Sequence, residues 1–368
     1  MPLTPAGGLS ASELFSQEAL PMLLTTAVLL TSLTRSIVSQ ACYPQPLPIP
    51  CHGPACISDY PTPNSSLQYQ DTRVIRHHES SFYYPISRGN HTGLGLNVVT
   101  APTLSGPWTY AYQILKGPLK SPCGAANNHS GTWRWAPEIH FVNGTYCLYY
   151  TVEYPVPGEV CFDICVATSS TMGKDDWNDQ GSIGIPLPER EKANDGTTRD
   201  PYVRLDGNLL SDSKDPQGVV EPLFMVFGSY QFGLYGITLA NMTSVMPGER
   251  PELIIAAQYQ KPASTILQDQ SGNYTEGAHQ LVNGDYIYLF YSRGACCEAP
   301  GHDAGSVYQT QVCRTVRSNG PRGLYVDRDG ENCLTGGSLG WHRKGSIFLY
   351  SNSGERLDLR IMLEVYES

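Results

Sequence analysis

The chain has 368 residues and an apolar fraction of 40%, enough to bury a sizeable core, which excludes disorder throughout. Its 24 Lys and Arg stand against 34 Asp and Glu, a formal charge of −10, and the basic residues form no stripe that would track a phosphate backbone, so nucleic acid is excluded as a partner. Charged residues make up only 16%, against 23 Tyr, 36 Gly and 28 Pro, a balance that favours short strands joined by turns, and the expected class is all-β.

In chain order, residues 1–41 come first and contain one long apolar run, Leu20 to Leu33, followed by the small-residue stretch Ser39-Gln40-Ala41 suited to signal-peptidase cleavage. The run is too short to span a bilayer comfortably, so no membrane partner is expected. Residues 1–41 read as a signal peptide or N-terminal extension of a secreted, extracellular protein. Glu13 and Glu18 stand where an export signal has basic residues, and a start at Met22 would remove both; a buried N-terminal helix is the alternative. Six Asn-x-Ser/Thr sequons, at Asn64, Asn90, Asn128, Asn143, Asn241 and Asn273, support export. So do 11 cysteines without CxxC pairs, which in an exported chain suggest several disulfides and an odd thiol, with the pairing open. Cys161 and Cys165 read as disulfide or core residues before they read as half a metal site.

Residues 42–66 are a Pro- and Cys-rich linker, and 67–368 form the main domain. There the chain repeats itself. A turn followed by an aromatic strand recurs in Val142-Asn143-Gly144-Thr145-Tyr146, in Val282-Asn283-Gly284-Asp285-Tyr286 and, more loosely, from His78 to Tyr84. A further strand follows in each unit, at Leu96 to Thr100, Ile164 to Thr168, Gly236 to Leu239 and Gln311 to Thr315. A four-stranded unit with a period of about 65 residues predicts propeller blades, because one small sheet cannot bury both faces alone and stacks on its neighbours around an axis.

Acids follow a similar period. Asp71, Glu138, Asp200 and Glu276 are 67, 62 and 76 residues apart, and each precedes an apolar strand. At the start of each innermost strand they would face the central channel and converge at one mouth; the alternative for each is an ordinary solvated turn residue. Two carboxylates on opposite sides of a sugar are what glycosidic cleavage needs, one protonating the departing oxygen and the other activating water or attacking directly. A third can hold a proton on the acid, since crowded carboxylates cannot all ionise. Asp327-Arg328-Asp329-Gly330 is a fragment of a calcium loop by composition but reads as a β-turn.

From about Tyr69 to Gly337 the sequence resembles glycoside hydrolase family 43, and within it secreted fungal arabinanase- and arabinofuranosidase-like members. The resemblance rests on Gln70-Asp71-Thr72-Arg73-Val74-Ile75, Trp135-Ala136-Pro137-Glu138-Ile139-His140, Ile164-Cys165-Val166-Ala167-Thr168-Ser169, Arg199-Asp200-Pro201, Phe227-Gly228-Ser229-Tyr230, Thr275-Glu276-Gly277, Ala295-Cys296-Cys297 and Tyr325 to Gly330, in this order and spacing. It implies a five-bladed β-propeller and an inverting glycosidase acting on arabinose- or xylose-containing plant polysaccharide. By motif position it makes Asp71 the general base, Asp200 the residue that tunes the acid and orients substrate, and Glu276 the general acid. An inverting pair is separated by about 6.5–9.5 Å to admit a water. Trp135, Glu138, Tyr230 and His279 are the expected substrate-binding residues, with core packing the alternative for the aromatics and a structural role for the His. Cys296 and Cys297 match a Cys pair of the family, and their expected role is structural.

Asp71-Thr72 stands where many relatives have Asp-Pro, and Glu138 where Asp is usual; neither change removes a carboxylate. After Gly336-Gly337 the pattern departs, through Gly340-Trp341-His342-Arg343-Lys344, into a charged tail from Gly354 to Ser368. His342 lies 66 residues after Glu276, in phase to be a fifth channel residue near a structural calcium; alternatively the last blade is incomplete. No cofactor is expected to be required, and the protein is expected to be a monomer. The readings that compete with the hydrolase are an inactive carbohydrate-binding propeller and a propeller hydrolase of fructans. Loops 116–134 and 182–198 decide endo or exo action by closing or opening one end of the groove.

Overall fold

Runs of aromatic and β-branched residues, broken by Asn-Gly and other Gly turns, become strands throughout the described parts of the structure, a computed structural model. Described are residues 73–77, 83–88, 95–100, 102, 109–117, 133–156, 159–189, 191–192, 198–212, 214–215, 218–228, 233–255, 275–293, 309–335, 349–350 and 360–361. All belong to the compact unit Pro46–Ser368; a second unit, Met1–Gln45, lies outside them, and with it residues 1–41, which read as a signal peptide or N-terminal extension. The linker 42–66, Asp71, Tyr230, Cys296, Cys297 and His342 also lie outside the described residues. Among the described residues there is no α-helix, and the class is all-β.

The first antiparallel sheet takes its strands in chain order: β1 (Arg73–Arg76), β2 (Tyr83–Arg88), β3 (Leu96–Thr100) and β4 (Thr109–Ile114). The second repeats the plan with β5 (Trp133–Val142), β6 (Thr145–Val156), β7 (Glu159–Ser169) and β8 (Asn178–Ser182). A small pair, β9 (Glu191–Lys192) and β10 (Thr198–Arg199), leads into β11 (Leu205–Leu209) and β12 (Ser211–Asp212). β11 joins β13 (Phe224–Gly228) and β14 (Leu234–Asn241) in the third sheet, where β14 also pairs with β15 (Ser244–Val245) and β16 (Glu252–Ile255). The fourth sheet is β17 (Thr275–Asn283), β18 (Tyr286–Arg293) and β19 (Gln309–Val316), to whose inner edge β12 adds itself in parallel, Ser211 opposite Leu281. The last piece is the antiparallel pair β20 (Leu349–Tyr350) and β21 (Arg360–Ile361). The turns at Asn143-Gly144 and Gly284-Asp285 are hairpin tips, and the four recurrent strands read from sequence are β3, β7, β14 and β19.

Side chains alternate across each strand, and here both sides are buried. On β6, Tyr146, Leu148, Tyr150 and Val152 pack with Ile75, Leu96, Val98 and Ile114 of the first sheet. Cys147 and Tyr149 of the same strand face the other way, against Leu209, Met225 and Phe227 of the third. β13 does the same one step on: Met225 and Phe227 face the second sheet, while Phe224 and Val226 meet Ile287, Leu289 and Tyr291 of the fourth. Four sheets therefore stack in sequence order with three cores between them, the second and third sheets each supplying one half of two.

Cys313 of β19 is bonded to Cys333, which ties the edge of the fourth sheet to the turn after it. Cys147 and Cys165 are both buried and each fills core; burial pushes the Cys147 thiol up to about 11. Asp327 to Gly330 is a turn, with Asp327 Oδ1 accepting the N–H groups of Asp329 and Glu331, both at 2.9 Å.

Candidate active site

Three strands, β5, β11 and β17, line the inner edges of the second, third and fourth sheets. Each carries a bulge at the same place: between Trp135 and Glu138, between Leu205 and Asn208, and between Glu276 and His279. In each the second residue has a left-handed backbone, Ala136 at φ 46°, Asp206 at φ 56° and Gly277 at φ 62°. A bulge re-aims the residues on either side of it. Here it produces two layers along the inner edges.

The outer layer holds Trp135, Asp206 and Glu276. The Asp206 N–H donates to Thr151 Oγ1 at 3.0 Å, and Thr151 stands opposite Trp135. The Gly277 N–H donates to Asp206 Oδ2 at 3.1 Å, which sets the Asp206 carboxylate against the Glu276–Gly277 peptide. Gly228, paired with Leu205, allows this approach: a Cβ there would come within 3.1 Å of the Glu276 Cα. Trp135 and Glu276 are partly exposed, as a site open to solvent requires, and the Trp135 ring leans on Phe162 with centroids 6.0 Å apart.

The inner layer is polar and buried. Asn208 Nδ2 donates to Glu138 Oε1 at 2.8 Å and lies 2.9 Å from His279 Nδ1. Asn208 Oδ1 accepts the Gln280 N–H at 2.7 Å. Glu138 also meets His140 Nε2 at 3.0 Å, and His140 Nδ1 is 3.0 Å from the Gly218 carbonyl. One amide thus joins all three inner strands. Glu138 and His279 are 7% and 5% exposed, and their described bonds run within this network. Glu138, His140 and His279 are engaged with one another or with Asn208, and among the described residues no three His, Cys, Asp or Glu converge as a metal site; the calcium that the resemblance raised was expected near His342, outside the described residues.

Asp200 follows β10 directly and is half-buried. The next residue is anchored, because the Tyr235 hydroxyl donates to the Pro201 carbonyl at 2.8 Å. Burial holds the Tyr202 phenol above its ordinary value; the Arg204 and Arg250 charges oppose this, and Glu189 and Asp200 add to it. Arg204 is itself paired with buried Asp163, at 3.2 Å.

Comparison with known proteins decides the family. Residues 60–347 match Glycosyl hydrolases family 43. The chain belongs to this family. It is 31% identical over 288 residues to the probable arabinan endo-1,5-alpha-L-arabinosidase A of Aspergillus clavatus, covering 76% of this chain and 75% of that one. It is 28% identical over 301 residues to arabinan endo-1,5-alpha-L-arabinosidase A of Aspergillus aculeatus, covering 78% and 79%. In fold it is similar to the alpha-L-arabinanase of Cellvibrio cellulosa, also solved in complex with arabinohexaose; the uncomplexed structure has a TM-score of 0.59 at 22% identity and covers 78% and 84%.

Within a family 43 glycosidase the residues that sequence reasoning passed over are Asp206, Asn208, His140 and Gln280. A signal for the first two existed. Trp135, Leu205 and Glu276 are 70 and 71 residues apart, a more even period than the one through Glu138, Asp200 and Glu276. In the structure Glu138 is level with Asn208 and His279, one layer below Glu276.

Proposed function

We propose that this family 43 glycosidase is an exported, inverting enzyme that cuts arabinan within the chain, with Glu276 as general acid, Asp71 as general base and Asp206 as the carboxylate that keeps the acid protonated. The observation that carries the reading is the hydrogen bond from the Gly277 N–H to Asp206, which brings two acid-bearing residues of neighbouring inner strands to one end, with Trp135 on the third. Motif resemblance favours Asp200 for the tuning role; Asp206 is preferred because its carboxylate touches the peptide that follows Glu276.

The chemistry follows from these groups. Glu276 protonates the departing glycosidic oxygen while Asp71 deprotonates a water that attacks the anomeric carbon from the opposite face. A negative charge beside the acid disfavours its ionisation, so Asp206 holds the proton where it is spent. Trp135 and Tyr230 offer flat apolar faces to the pentose. Arabinan, rather than a xylose polymer, and internal cutting are supported by the names of the curated relatives. A fifth sheet between the fourth and the first, to which β20 and β21 belong, closes the propeller that the resemblance implies. Export is supported by residues 1–41, the sequons and the Cys313–Cys333 disulfide. The working unit is a monomer.

Product analysis on linear arabinan and on arabinoxylan tests this, with proton NMR following the anomer first released. Oligosaccharides of inverted configuration from linear arabinan are expected. Binding without release of sugar would instead leave a carbohydrate-binding protein, and retention of configuration would end the assignment of Asp71 as base. Glu276→Gln and Asp71→Asn should each abolish turnover with an unchanged melting temperature.

A further inference from the structure

Two of the six sequons fall on described residues, and the sheets put both at the same end. β5 runs from Trp135, in the layer of Glu276, to Val142, and Asn143 follows at the hairpin tip. β14 begins at Leu234, opposite the Gly228 that abuts Glu276, and ends at Asn241. Eight steps from Trp135 to Asn143 and seven from Leu234 to Asn241, at about 3.3 Å each, separate each Asn from the Glu276 end by on the order of 20 Å.

Both asparagines are exposed. The Asn241 turn is built. Thr243 donates to Asn241 Oδ1 through its N–H at 2.8 Å and through its hydroxyl at 2.9 Å. Both bonds fall on the amide oxygen, and among the described residues none falls on the nitrogen. Met242, between them, packs into the core of the second and third sheets, and Tyr149 of β6 donates to its carbonyl at 2.6 Å. The turn is therefore held from below by the neighbouring sheet while its Asn faces solvent. At the other tip, a Cβ added at Gly144, the residue after Asn143, would meet nothing within 4 Å.

We propose that Asn241 and Asn143 carry N-linked glycans, on the end of the sheets remote from Glu276, so that the sugar-bearing protein keeps its active-site end open to a polymer. In the transfer, the Asn Nδ2 attacks the anomeric carbon of an oligosaccharide carried on a lipid diphosphate. The C–O bond to the diphosphate breaks, the N–C bond forms, and the amide gives up one proton. This rests on the export reading, since the transfer occurs only on chains entering the secretory route.

The test is secretion of the full chain from a eukaryotic host, followed by peptide mass mapping before and after peptide N-glycosidase in heavy-oxygen water. Expected are a labelled Asp at positions 143 and 241, loss of one glycan mass in Asn241→Gln and in Thr243→Ala, and retention of it in Thr243→Ser. Enzymatic removal of the glycans should leave kcat/KM on linear arabinan unchanged. If the chain's own leader fails to export it, the export reading falls, and the same chain behind a foreign leader still tests the sites. An exported chain with an unmodified Asn241 peptide overturns the proposal. A several-fold rise in rate on deglycosylation overturns the placement away from the active-site end.

Discussion

Asp206 adopts a left-handed backbone that costs a non-glycine residue about 1–3 kcal/mol unless its surroundings fix it, and such residues cluster at functional sites. Two hydrogen bonds fix it, one to Thr151 and one from Gly277. Asp206→Asn keeps the size and removes the charge, so the fold should persist while kcat falls by about 100-fold or more. The alkaline limb of the pH–rate profile should move to lower pH, because the acid then loses its proton more easily. Asp200→Asn made in parallel decides between the two candidates: a limb that moves with Asp200 and stays with Asp206 returns the role to the Asp-Pro motif. Spacing marks Asp200 rather than Asp206 for a physical reason. Asp200 precedes a proline and resembles a strand start, whereas the in-phase residue on β11 is Leu205, which has no charge to mark it. The bulges were equally hidden, since only one of their three left-handed positions is a glycine.

At the scale of the strand, the hairpins were legible because Asn-Gly at a tip and aromatic alternation beyond it are local signals. β12 was not, because its two residues pair in parallel with β17 only once the third and fourth sheets are stacked. The Asn208 network belongs to the same class: one amide holding β5, β11 and β17 together cannot be read from spacing. Removing it in Asn208→Ala leaves Glu138, His279 and the Gln280 N–H short of a partner in a buried place. At about 1–3 kcal/mol for each group left unsatisfied, the loss should be on the order of 3 kcal/mol, read as a lower urea midpoint. The β7–β8 turn offers a pH test. Asp176 Oδ2 accepts from the Ser169 and Thr171 hydroxyls and the Thr171 N–H, among others, which holds its carboxyl well below the usual range. Depressed in the folded state, it contributes stability above the ordinary carboxylate pKa of about 4 and loses it as pH falls further. Asp176→Asn should therefore melt below the wild type at pH 6, with the gap narrowing below about pH 4. A gap independent of pH would show that the charge is not what holds the turn.

Among the described residues, the repeat predicted stacked four-stranded sheets, and four sheets of four or five strands stack in order with cores between successive pairs. The period carried that much because a sheet buried on both faces needs aromatic and branched residues at every strand position. What the period could not carry was the phase of the acids, which depends on bulges, or the fate of the last sheet, where the sequence leaves the repeat. The fourth sheet bears on that end of the chain. Ile287, Leu289 and Tyr291 of β18 face the third sheet, and the residues between them, Tyr288 and Phe290, face the other way with Val312 of β19. Those three are only 5%, 1% and 5% exposed. A face this apolar is a liability in water, and the stacking rule that satisfies the other sheets calls for a further sheet against it. Ending the chain after Thr335 keeps the Cys313–Cys333 bond and all three inner strands but removes β20, β21 and the segments around them. If a fifth sheet covers this face, the truncated protein should bind an apolar dye strongly, associate in light scattering and melt well below the full chain. A monomeric truncated form with the full-length melting temperature and no added dye binding would mean that the fourth sheet needs no cover from residues 336–368, and closure by a fifth sheet would be wrong.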